Sequence, residues 1–177
     1  MPPLDQPAGL VTDHDASALF LQSSLREKVL EHLFIGELLR TLWREGRRDI
    51  EILRAEVDSS GYDLVLECNG VLRHVQLKSS HRQARTRSVN VSLNLGRKPA
   101  GCVIWIEFDA ATLELGPYYW LSGLPGTRLS LDGYKTTRHT RAGRGGIRNE
   151  RPSLRSVARK HFQSIETMNE LIELLFG

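Results

Sequence analysis

At 177 residues, 40% hydrophobic and 25% charged, the chain has enough material for one core and a composition near globular averages, which excludes global disorder and leaves no need for a second independent domain. Its apolar runs fall short of the roughly 20 residues of a membrane-spanning helix and of the roughly 7–15 of a signal peptide's core, so a cytoplasmic protein with no membrane partner is expected. The net charge of +3 is unevenly spread: residues 1–70 carry 13 acids against 7 lysines and arginines, residues 71–177 carry 8 against 17, and a basic half of that kind suits a polyanion.

Residues 1–16, rich in Pro, Asp and Gly without periodicity, read as a frayed leader, and residues 17–177 as a single domain. Over 17–45 the apolar residues Leu25, Val29, Leu33, Leu39, Leu42 and Trp43 approximate helical spacing, with Ser24 a candidate N-cap and Gly46 a stop. Three strand-like runs follow, at 50–56, 62–68 and 71–78. Turn chemistry separates the first two at 58–61, Asp-Ser-Ser-Gly. Asn69-Gly70 separates the last two as a type I′ hairpin signal, because both central residues of that turn need positive φ.

Residues 81–101 admit two readings. Val89, Val91, Leu93 and Leu95 alternate as in a strand, whereas the family resemblance given below implies a helix. The near-continuous apolar run 102–108 is a central strand, a further strand falls around 118–121, and the sheet is mixed. Residues 135–160 hold nine lysines and arginines and one acid, Glu150, among Gly143, Gly145 and Gly146, which suggests a mobile basic segment. A terminal helix spans 167–176, with Thr167 and Glu170 as a capping box and Met168, Leu171, Ile172, Leu175 and Phe176 on its apolar face. Cys68 and Cys102 fit buried reduced thiols, and Trp43, Trp105 and Trp120 fit core positions. No P-loop, dinucleotide glycine motif, Cys/His metal spacing or Ser/His/Asp arrangement is present, which sets the nucleotide-cofactor classes aside.

With Asn69 and Gly70 as the hairpin loop, Cys68 faces Val71 and Asp63 falls opposite Gln76. Strand alternation then puts Asp63, Gln76 and Lys78 on one face with Val65, Glu67, Leu72 and His74, and turns Leu64, Leu66, Val75 and Leu77 to the core. A carboxylate, an amide oxygen and an ammonium so placed can hold a divalent cation and a phosphate together, since Mg²⁺ takes oxygen ligands and keeps several waters. The rival reading of that surface is a solvated sheet face. Arg82, Arg85 and Arg87, together with Arg138, Arg141, Arg144 and Arg148 of the basic segment, are candidate phosphate contacts.

Gly61-Tyr62-Asp63 opening one strand and Val75-Gln76-Leu77-Lys78 on the next resemble the split motif of the PD-(D/E)XK nuclease superfamily, over residues 24–109. The resemblance implies a restriction endonuclease-like α/β fold, an αβββαβ core with a mixed central sheet flanked by helices. It implies a Mg²⁺- or Mn²⁺-dependent endonuclease acting on DNA or RNA, in many relatives as a homodimer. It also implies a glutamate from the first helix, identified as Glu37 with Glu31 as the substitute, and a loop-supporting role for Asp58. Glu37, Asp63 and Gln76 would hold the metal, with Lys78 assisting the attacking water. Gln76 stands where most members carry Asp or Glu, which is similar to the Gln-x-Lys branches such as the Mrr-like and virus-type replication-repair nucleases. A neutral ligand weakens metal binding, so a catalytically degenerate binding module is the alternative.

Overall fold

The computed structural model describes residues 23–57, 59–124, 126–138 and 149–177. The leader, Asp58, Arg141, Arg144 and Arg148 lie outside them. Helix α1 (Ser23–Arg44) buries Leu30, Phe34, Leu38 and Leu42, a row four residues apart that lies along one side of the helix. Of the six residues read as its apolar face only Leu42 is buried, while Leu25, Leu33, Leu39 and Trp43 are exposed. The helix is apolar on two sides, and packing against the sheet selects the straighter row. Trp43, read as core, instead stacks at the surface on Arg48, 4.6 Å from guanidinium to ring centre. The helix ends where Gly46 N–H donates to Trp43 O and Arg47 N–H to Leu42 O, the paired bonds of a Schellman stop.

Six strands form the main sheet: β1 (Ile50–Arg54), β2 (Leu64–Cys68), β3 (Val71–His81), β5 (Gly101–Phe108), β6 (Leu115–Ser122) and β9 (Gln163–Ile165). Their spatial order is β1-β2-β3-β5-β6-β9, with β3 and β5 parallel and every other pair antiparallel. A second sheet has the order β4-β8-β7 and contains β4 (Ser88–Ser92), β7 (Lys135–Arg138) and β8 (Glu150–Ala158). Helix α2 (Met168–Phe176) closes the chain, capped as read by Thr167 and Glu170.

A parallel pair needs a crossover, and here it runs through β4 and a 3₁₀ turn at Leu95–Arg97. The strand reading of 81–101 therefore holds and the helix implied by the resemblance does not, because Val91 and Leu95 bury against a second core. The basic segment is likewise not a loop throughout, since its described ends are β7 and β8.

The molecule is thus an α/β protein in three layers. Both helices cover one face of the main sheet, where Phe34, Leu38, Leu171 and Leu175 meet Leu64, Val75 and Ile104. The three-stranded sheet covers the other, where Val91, Leu129 and Val157 meet Val103 and Trp105. Buried on both faces, β5 exposes no residue, which is why its sequence is almost continuously apolar. No helix among the described residues is long and apolar enough to cross a membrane.

Candidate active face

The β2–β3 register runs from Cys68↔Val71 to Leu64↔Val75, with Asn69 at φ 50° and Gly70 at φ 76°, as an Asn-Gly type I′ turn requires. Asp63 lies one residue before β2. Its N–H donates to Val75 O at 2.8 Å and its carbonyl accepts from Ala55 N–H at 2.9 Å. Its carboxylate Oδ2 accepts the Leu77 N–H at 2.6 Å. A side-chain oxygen thus replaces the backbone partner at the point where β2 and β3 part.

Gln76 projects away from the helices and is buried, and its Oε1 accepts the Ser92 N–H at 3.1 Å, joining the main sheet to the end of β4. Lys78 is two residues on, half-buried on the same face, and in register with Trp105 of β5. The turn before Asp63 is pressed against the same spot. Gly61 has φ +76°, and a Cβ there would collide with Ser92 Oγ and sit 3.0 Å from Leu95 N. Asn94 Nδ2 in turn donates to Ser59 O at 3.0 Å. The face is therefore roofed by the second sheet and its connections rather than openly solvated; His74 nearby packs edge-on to Tyr62 and bonds through Nδ1 to Pro99 O at 2.8 Å.

Glu37 is elsewhere. Its Oε2 accepts the Tyr118 hydroxyl at 3.4 Å, on the helix side of the sheet and on a strand three places from β2. Burial, and then the Glu37 charge, pushes the Tyr118 phenol above its ordinary range. The structure does not bring Glu37 to Asp63. Glu31, the substitute, pairs with Arg54 Nε at 3.3 Å, and Arg54 is in register with Leu64 beside Asp63. Of the two helix glutamates, Glu31 stands at the Asp63 end of the sheet.

Among the described residues no three His, Cys, Asp or Glu side chains converge as a metal cage. Asp63 and Gln76 nevertheless present oxygens of the kind Mg²⁺ takes, each oriented by a backbone N–H. An amide oxygen offers two lone-pair sites, so the Ser92 hydrogen bond does not exhaust Gln76 Oε1. Two such oxygens are too few to hold a cation by protein alone, so a cation here would have to keep its waters and draw further ligands from a bound phosphate.

The candidate phosphate contacts divide. Arg82 Nε donates to Gly116 O at 2.9 Å and its guanidinium meets Glu114 at 3.7 Å, and Arg138 pairs with Glu150 at 3.5 Å across β7–β8. Arg85 and Arg87 line an open cleft of about 470 Å³ with Arg159 and Lys160. Beside it is a group the sequence reading passed over. Glu107, buried on β5, is ion-paired to Arg159, accepts the Tyr119 hydroxyl at 3.3 Å, and lies under a guanidinium stacked 4.6 Å from Trp105 and 4.7 Å from Tyr119. A carboxylate inside the apolar run Cys102-Val-Ile-Trp-Ile-Glu-Phe108 was the available signal. Comparison of the chain with protein-family models, with curated proteins and with solved structures found no match.

Proposed function

We propose that the chain is a metal-assisted, endonuclease-like phosphodiester hydrolase of nucleic acid, acting on DNA first, with a restriction endonuclease-like core. The observation that carries this reading is that two side-chain oxygens are each fixed by a backbone N–H, Asp63 Oδ2 by Leu77 and Gln76 Oε1 by Ser92, next in sequence to Lys78 on β3. The chain order supports the core: a helix, an antiparallel β1-β2-β3 meander, then β5 parallel to β3. Where the resemblance implies a helix, a three-stranded sheet takes its place.

Asp63 and Gln76 would hold Mg²⁺ or Mn²⁺ with a substrate phosphate, and the ion when bound supplies a water of lowered pKa and charge neutralisation at the phosphoryl oxygens. Lys78, with three N–H donors and no acceptor, orients the attacking oxygen or stabilises negative charge as it develops. Glu31, the helix carboxylate at that end of the sheet, is already paired with Lys28 and Arg54.

The position of Glu37 at Tyr118, and the want of a three-carboxylate cage among the described residues, favour a second reading: a nucleic-acid-binding module without hydrolysis. Incubation with linear, supercoiled and branched DNA in Mg²⁺ or Mn²⁺ separates the two. The hydrolase should cut at least one substrate, and Asp63→Ala and Lys78→Ala should each slow cutting by about 10²-fold or more, the scale of losing one transition-state contact. Metal-independent binding with no product on any substrate sinks the hydrolase and leaves the module.

A further inference from the structure

We propose that the cleft between residues 84–87 and 158–160 is a second phosphate site that grips the nucleic-acid backbone on the Lys78 side of the main sheet; this rests on the reading of the chain as a nucleic-acid protein. Four cationic side chains, Arg85, Arg87, Arg159 and Lys160, line this one opening. Among the described residues Arg85, Arg87 and Lys160 form no ion pair, and the neighbouring carboxylate, Glu107, is taken by Arg159. Three uncompensated cations around one concavity raise its potential and favour an anionic occupant.

The cleft is also built in advance. Arg159 N–H donates to Arg87 O at 2.9 Å and its Nη2 to Thr86 O at 3.2 Å, so the two walls are stitched together. Its guanidinium is clamped over Trp105 and Tyr119, and Trp105 Nε1 is itself anchored to Ser80 Oγ at 2.8 Å. Arg159, its charge met by Glu107, thus fixes the backbone beside Arg85 and Arg87, which spares a ligand the cost of ordering that wall. The opening exceeds what a single phosphate fills and is open to solvent, which suits a polymer passing through.

Position ties the cleft to the candidate active face. Lys78 and Trp105 are neighbours across the β3–β5 pair, on the face that also carries Arg159. The cleft and Lys78 thus stand on the same side of the main sheet, with the buried Trp105 between Lys78 and Arg159. Phosphodiester is the assigned occupant because the cleft is read as part of a nucleic-acid protein; the forked donors of Arg85 and Arg87 match phosphate as they match carboxylate, and competition by polyglutamate separates the two.

The test is binding of the full chain to fluorescent single- and double-stranded DNA in EDTA across a salt series, comparing wild type with Arg85→Gln/Arg87→Gln/Lys160→Gln and with Arg44→Gln as a distant control. The three residues are exposed, so the triple variant should keep its circular dichroism and melting profile. Each lost phosphate contact lowers the slope of log K against log salt by about 0.9 for duplex, so the triple variant should lose between 2 and 3 units, roughly three contacts' worth, and the control none. An unchanged slope in the folded triple variant overturns the cleft while leaving the nucleic-acid reading intact. Wild type that binds no DNA at low salt overturns both. Polyglutamate competing as well as an oligonucleotide of equal charge overturns the phosphate assignment.

Discussion

Arg73 occupies an inward-facing position on β3, opposite Leu66, in a layer that is otherwise apolar. The side chain is tolerated because its donors are spent on helix α2: Nε reaches Leu175 O at 2.8 Å and Nη2 reaches Leu174 O at 2.9 Å, carbonyls that the end of a helix leaves without partners. The third nitrogen approaches Ser122 Oγ at 3.3 Å, and the guanidinium lies 5.5 Å from the Trp120 ring. Replacing it with leucine keeps bulk but orphans the helix end, so Arg73→Leu should cost about 3 kcal/mol in urea unfolding. Arg73→Lys should recover little, since one ammonium cannot span two carbonyls and a hydroxyl. A near-neutral Arg73→Leu would mean that packing, not the capture of α2, holds this corner. An arginine among Leu72, His74 and Val75 reads from sequence as a surface residue, because nothing local announces that a helix a hundred residues later will end above it.

Glycines at two turns separate local from tertiary control of the elements. Both Gly61 and Gly70 have positive φ near 76°, but a Cβ on Gly70 meets nothing within 4 Å whereas one on Gly61 collides with Ser92. Gly70→Ala should therefore lose only the backbone term, about 1–2 kcal/mol. Gly61→Ala adds overpacking and should lose about 3 kcal/mol or more in thermal or urea unfolding. Gly61→Ala should also slow cleavage of DNA, because Ser92 must move and its N–H holds Gln76; Gly70→Ala should not. Equal losses in the two variants would show that Gly61 does not gauge the distance between the sheets.

The same contrast marks what was legible beforehand. Asn69-Gly70 specifies its hairpin from adjacent residues, so the Leu64↔Val75 register could be counted out in advance, and Thr167 with Glu170 declares the start of α2 just as locally. The second sheet could not be foreseen in this way: Val91 of β4 pairs with Arg155 of β8, more than sixty residues on, and β8 is largely polar. The buried row of α1 was hidden for a related reason, since its leucines populate two sides and only the sheet chooses between them. Asp63, Gln76 and Lys78 could be grouped from sequence because they belong to a local hairpin; Ser92, which orients Gln76, and Glu107 come from elsewhere in the chain.

Taken whole, the molecule carries two cores on opposite faces of one sheet, and the candidate site sits where the second sheet locks onto the first. Anything that loosens the central strands therefore loosens the site, and high pH is one such perturbation. Cys102, buried on β5 in the helix-side core, has its thiol pushed up to about 12 by desolvation, only partly opposed by the Arg73 charge. In the unfolded chain the same thiol ionises near its ordinary value of 9.0. Between those two values the unfolded state has shed a proton that the folded state still holds, so the unfolded state binds fewer protons and stability falls as pH rises. Below pH 9 both states keep the proton and this contribution is fully present. Tyr118, raised in the same direction by burial and by Glu37, extends the loss to higher pH. The urea midpoint should fall from pH 9 toward pH 11, and Cys102→Ala should flatten that fall while leaving the neutral-pH cleavage rate unchanged, because the thiol faces away from Gln76 and Lys78. An alkaline slope identical in Cys102→Ala and wild type would place the sensitivity outside the helix-side core.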